Sequence, residues 1–246
     1  EIQAEELFRK EKWNDCLGLL NQIQGGNESV RNMRQICSGK LDEIAKAKAA
    51  NERRDRALGL FKTAESKLAN ARSLAKSEGK GIRIVHEAYR EAISSLEKVL
   101  AQDDRLPQAL YAIVEAHSEL RDETGLKFAD RLVGLDPNPG MPYLLRAKLK
   151  IWEYLKETGA FLDPQIRTIP YDAAAVRGQI QKDLQFAVQR DISPFHRESA
   201  EGLQAFLEGD LALAGKRLES AWRKTADDRD LLLFLGLYSV NAEQTD

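Results

Sequence analysis

The chain has 246 residues, of which 43% are hydrophobic and 31% charged, with a formal net charge of −2 and a mean hydropathy of −0.47. No run approaches the roughly 18 consecutive apolar residues that span a bilayer, so membrane insertion is not expected. Two cysteines, Cys16 and Cys37, and three scattered histidines, His86, His117 and His196, offer no zinc-ligand spacing, and no metal or cofactor is expected.

From the N-terminus, Glu1 to Lys10 is charged and periodic rather than leader-like, and the chain opens on Glu1 rather than Met. The expectation is a cytoplasmic segment of a longer polypeptide, with both cysteines held as reduced thiols in a reducing compartment. Asn27-Glu28-Ser29 fits a glycosylation acceptor, which matters only for a secreted chain. Spacings of three and four then mark helix after helix. Ala57, Phe61, Ala64, Leu68, Ala71 and Ala75 form one apolar stripe, and Tyr89, Ala92, Leu96, Val99 and Leu100 form another. Ala109, Ile113, Ala116 and Leu120 follow, then Leu126, Ala129, Leu132 and Val133, closed by Leu135-Asp136-Pro137.

All seven prolines lie at or beyond Pro107, where they open or close helices, so longer helices fit the N-terminal half. The spacing predicts helices over 2–11, 13–23, 29–50, 53–77, 84–102, 107–121, 124–134, 141–158, 172–190, 195–208, 210–225 and 229–242, an all-α chain of roughly 11–13 helices. Gly79-Lys80-Gly81 marks a break, and 159–171, with two prolines, reads as an inserted loop. Ile82 to Val85 and Ile166 to Ile169 alternate briefly, too short to build a sheet.

Charge is unevenly spread. Arg31 to Arg83 carries 14 Lys and Arg against 6 Asp and Glu, including Arg53, Arg54 and Arg56, and leaves 23 basic and 33 acidic residues elsewhere. Such a stretch can attract an acidic partner or nucleic acid, or simply form a solvated helix face. Its one aromatic, Phe61, falls on an apolar stripe, and the pI near 6.1 is low for a dedicated nucleic-acid binder, so nucleic acid is disfavoured.

Near the C-terminus the chain repeats itself 34 residues apart: Leu184 as Leu218, Ala187 as Ala221, Gly202 as Gly236. Periods of this length mark stacked helical pairs. The pattern resembles the tetratricopeptide repeat (TPR). In 195–228 it is carried by Gly202, Gly209-Asp210, Ala214, Leu218 and Ala221, with Leu235-Gly236 opening a further unit. In 106–139 it is carried by Ala109, Ala112, Ile113 and Ala116, ending in Leu135-Asp136-Pro137. Tyr89, Ala92, Leu96 and Val99 look like the second helix of a preceding unit, and Trp13, Cys16, Leu20 and Ile23 like that of another. The step from Leu132 to Ala187 departs from the pattern, being one repeat plus an insertion, and 28–83 is longer and more basic than the family unit.

The resemblance implies one α–α superhelix over 1–246, an antiparallel helix-pair solenoid whose first helices line a concave protein- or peptide-binding groove. The positions that hold a carboxylate in one variety of the family correspond here to Leu110 and Val114, both apolar. A groove exposing Leu110, Val114, His117, Lys148, Trp152 and Phe206 instead suits an amphipathic helix or an extended apolar segment. No GxSxG, HExxH or phosphate-loop pattern occurs. Asp103-Asp104 and Asp227-Asp228 read as helix ends, and Glu115 and Glu119 share a helix face. The expected function is a non-catalytic scaffold or adaptor that binds a protein or peptide. The alternatives are a regulatory region of a multidomain signalling enzyme such as a kinase, or nucleic-acid binding through 53–83.

Overall fold

Alanine, leucine and charged residues dominate long stretches free of proline, and the backbone answers with helix. The computed structural model describes residues 2–23, 25, 27–77, 81–158, 172–224, 231 and 234–236. Among these are ten α-helices and one 3-10 turn, with no strand and only an isolated bridge between Pro139 and Asp191. Residues 231 and 234–236 are also helical. The expected loop at 159–171, the alternation at Ile166 to Ile169, Gly79-Lys80, Asp227-Asp228 and most of the expected last helix lie outside the described residues. No described helix is long and apolar enough to cross a membrane. The chain divides into two compact units, 1–56 and 57–246.

The first unit holds α1 (Ile2–Arg9), α2 (Trp13–Gln22) and the opening half of α3 (Glu28–Lys76). Ala4, Cys16, Leu20, Val30, Met33 and Cys37 bury together at its centre. Glu11, at φ 56°, turns the chain from α1 into α2, and the Phe8 ring meets the Trp13 ring edge-on at 5.3 Å. Asn27 Oδ1 accepts the Val30 N–H at 3.0 Å and so caps α3. Arg34 then donates to the Leu20 carbonyl and, at 2.6 Å, to the Ile23 carbonyl, placing a cation at the negative end of α2.

The second unit takes up α3 from Ala57 and adds α4 (Ile82–Gln102), α5 (Pro107–Leu120), the turn Glu123–Gly125, α6 (Leu126–Leu135), α7 (Met141–Glu157), α8 (Ala173–Gln189), α9 (Pro194–Glu208) and α10 (Leu211–Lys224). Boundaries follow local chemistry. Pro107 and Pro194 occupy first helical positions, Asp172 and Ser193 accept backbone N–H groups at N-caps, and Gly209 ends α9 at φ 86°. Each helix from α4 to α10 packs against the next, and α5 also touches α7, as α7 touches α9. Two apolar clusters result. Ala57, Ala64, Leu68 and Ala71 of α3 join α4, α5 and α6 in one, and α7 to α10 enclose the other with Leu231 and Phe234.

Small residues set the closest approaches. A methyl group on Gly202 would stand 2.7 Å from Leu218 Cγ, so α9 and α10 pack this tightly only over glycine. Its 34-residue counterpart Gly236 has open space instead, whereas Leu184, Ala187, Leu218 and Ala221 are all fully buried. A Cβ on Gly140 would come within 2.4 Å of the Ala187 carbonyl, beside the 2.8 Å hydrogen bond from Gly140 N–H to the Asp191 carbonyl.

Two expectations are corrected. The separate helices at 29–50 and 53–77 are one helix, α3, because Ala49-Ala50-Asn51-Glu52-Arg53 contains neither proline nor glycine to interrupt it. Helix α4 begins at Ile82 rather than at the expected 84, so the brief alternation over Ile82 to Val85 is its first turn.

Candidate protein-binding surface

Helix α5 is hemmed in by α4, α6 and α7, so its apolar positions have a neighbour on almost every side. Leu110 and Val114 are therefore buried, at 1% and 0% exposure, and do not line an open groove. His117 is buried for the same reason and stacks on Phe128, with ring centroids 5.7 Å apart. The strip of α5 left facing outward is Gln108, Tyr111, Glu115 and Glu119, spaced three and four apart.

Opposite that strip stand Phe61, Glu65 and Arg72 from the second half of α3, and the two helices enclose a groove of about 310 Å³ floored by Leu68 and Ala112. Phe61 and Tyr111 are both half-buried. Arg72 clamps Glu115 with Nη2 at 2.6 Å from each carboxylate oxygen and Nε at 2.9 Å from Oε1. Burial, then the charge of Asp136, pushes the Tyr111 phenol above its ordinary pKa, so it stays a protonated hydroxyl. The groove thus pairs two half-exposed rings with a fixed, partly buried ion pair.

The remaining expected site residues lie elsewhere. Lys148 and Trp152 are buried on α7, contrary to the open groove expected there. Trp152 stacks on Phe234 with centroids 5.0 Å apart and planes 18° apart, and the Arg121 guanidinium lies 4.8 Å from its ring. Phe206 is half-buried and meets the same Phe234 at 6.3 Å, so Trp152 and Phe206 are brought together, but around the chain's own phenylalanine. Arg53, Arg54 and Arg56 are exposed on the part of α3 that belongs to the first unit.

Two polar arrangements organise the second unit. Arg146 of α7 donates to Asp183 of α8 at 2.9 and 2.5 Å and to Asp130 of α6 at 3.0 Å, while Lys150 reaches Asp183 at 3.1 Å. Burial works against the Arg146 charge, and the two carboxylates override it, holding its pKa above the ordinary value. At the end of α5, His117 Nδ1 lies 2.9 Å from Asp122 Oδ2, which fixes the turn into α6. Its Nε2 is buried with no hydrogen-bond partner among the described residues.

Burial lowers the His117 pKa, and the opposing pull of Asp122 does not restore it. The unfolded chain therefore binds more protons at this position as pH falls through the ordinary histidine range, so His117 makes the protein less stable at pH 5 than at pH 7. Urea unfolding at both pH values checks this, and His117→Gln is expected to lose less stability over that interval than the wild type. Asp122 titrates outside the interval. Burial raises its pKa, but hydrogen bonds from Thr124 and His117 outweigh that and hold it below the usual carboxylate range.

The groove is not legible in the sequence, because Phe61 sits on an apolar stripe and Arg72 within the basic stretch, and neither pattern shows what each residue faces. The available signal was the Gln108, Tyr111, Glu115 and Glu119 row, a mixed stripe on an otherwise apolar helix. No protein-family model matches this chain, and no curated protein matches it in sequence.

Proposed function

We propose that the chain is a non-catalytic scaffold, a TPR-like stack of helix pairs that holds a segment of a protein partner in the groove between the second half of α3 and α5. The observation that carries the reading is the groove itself, with Phe61 and Tyr111 half-exposed beside the Arg72–Glu115 pair. Half-buried aromatic rings contribute apolar contact area at low entropic cost, and a polar pair at the rim can orient a peptide backbone or a charged side chain. The successive packing of α4 to α10, the α5–α7 and α7–α9 contacts, and the apolar cluster that the second half of α3 shares with α4 and α5 support a row of paired helices in which α3, α5, α7 and α9 are the first helices. The partner segment is a helix or an extended strip with a large apolar side chain seated between Phe61 and Tyr111.

A photo-reactive phenylalanine analogue at position 111 tests this. The expected result is a discrete protein adduct that is absent when the analogue replaces the exposed Lys216 on α10. No adduct at 111, or the same products from both positions, would refute it.

A further inference from the structure

Cys16 of α2 and Cys37 of α3 are 21 residues apart in sequence, yet their sulfurs are 3.3 Å apart in the core of the first unit. Both are fully buried free thiols. The Cys37 S–H donates to Cys16 Sγ, and the Cys16 S–H donates to the Ala4 carbonyl at 3.3 Å. A disulfide needs about 2.05 Å between sulfurs, so the pair is roughly 1.3 Å short of bonding, a gap that modest side-chain rotation can close. No other cysteine exists in the chain to compete for either thiol.

We propose that Cys16 and Cys37 form an intramolecular disulfide site, in which a disulfide-class oxidant joins α2 covalently to α3. One cysteine thiolate attacks the oxidant disulfide, forming a mixed disulfide and expelling one thiolate. The other cysteine then attacks the protein sulfur of that mixed disulfide and expels the second. In sum, two protein thiols lose two electrons and two protons, and one oxidant disulfide becomes two thiols.

Burial, then the neighbouring Cys16, pushes the Cys37 thiol up to about 12, so little thiolate is present in the closed unit and exchange proceeds through its transient opening. Once formed, the bond closes a loop of about twenty residues and restrains the unfolded chain, so that opening becomes rarer.

The full chain, freed of reductant and incubated with glutathione disulfide, provides the test. The expected product is a monomer lighter by two hydrogens, with no titratable thiol, and with tryptic peptides 13–31 and 35–40 joined. The unfolding midpoint of the first unit should rise by roughly 10 °C or more and return on addition of dithiothreitol. Cys16→Ser and Cys37→Ser should each show no such rise and take up at most one glutathione. Two intact thiols in the wild type, a stable glutathione adduct, or cross-links only between molecules would overturn the proposal. The wild-type result stands alone should either variant fail to fold.

Discussion

Replacing Asp183 with alanine is expected to destabilise the second unit by about 3–5 kcal/mol, the cost typical of removing one partner from a buried ion network. The Asp183 side chain is 4% exposed, and Arg146 and Lys150, at 18% and 15%, both point their charges at it. Without the carboxylate, α7 carries two largely desolvated cations against α8, and among the described residues only the exposed Asp130 is still in reach of Arg146. Asp130→Ala, by contrast, removes a carboxylate that is 62% exposed and should cost no more than about 1 kcal/mol. Urea unfolding of both variants measures the difference. Equal losses would mean that Asp183 is better solvated than its burial indicates.

Trp152→Ala is expected to cost about 3–5 kcal/mol, the range for deleting a large buried aromatic side chain. The ring is 5% exposed and lies against Phe234 and Arg121. Arg121 ends α5 in the left-handed region at φ 54°, an uncommon conformation for a non-glycine residue. There its N–H bonds the Ser118 carbonyl at 2.9 Å, closing the helix, while its guanidinium covers Trp152. Because Trp152 and Phe234 touch, the double variant with Phe234→Ala should lose less than the two single losses combined. Thermal and urea unfolding of the three proteins read that coupling, and strict additivity would mean that the two rings do not support each other.

The helices were legible because their apolar stripes are long and regular. Tyr89, Ala92, Leu96, Val99 and Leu100 were marked by spacing alone, and all five are buried. Helix pairing was legible too, through the small residues Gly202, Ala214 and Ala221 between α9 and α10. The face of α5 that points outward was not legible. A family template placed Leu110 and Val114 there, but apolar side chains on a helix with neighbours on several sides go inward, leaving Tyr111 and Glu115 outside. Long-range polar partners were equally hidden. Arg72 and Glu115 are 43 residues apart, Arg146 and Asp183 37 apart, and no local periodicity encodes either pair. Between Ala45 and Arg56 the sequence has weak apolar periodicity but good helix formers, so backbone propensity rather than a core-facing stripe carries α3 through that stretch.

The proposed partner site is the groove between α3 and α5. Once the protein cross-linked through position 111 is identified, its affinity for the full chain and for Tyr111→Ser, measured by calorimetry, tests this directly. A loss of tenfold or more for Tyr111→Ser, with an unfolding midpoint close to the wild type, is the predicted result. Unchanged affinity in a folded Tyr111→Ser protein would contradict it.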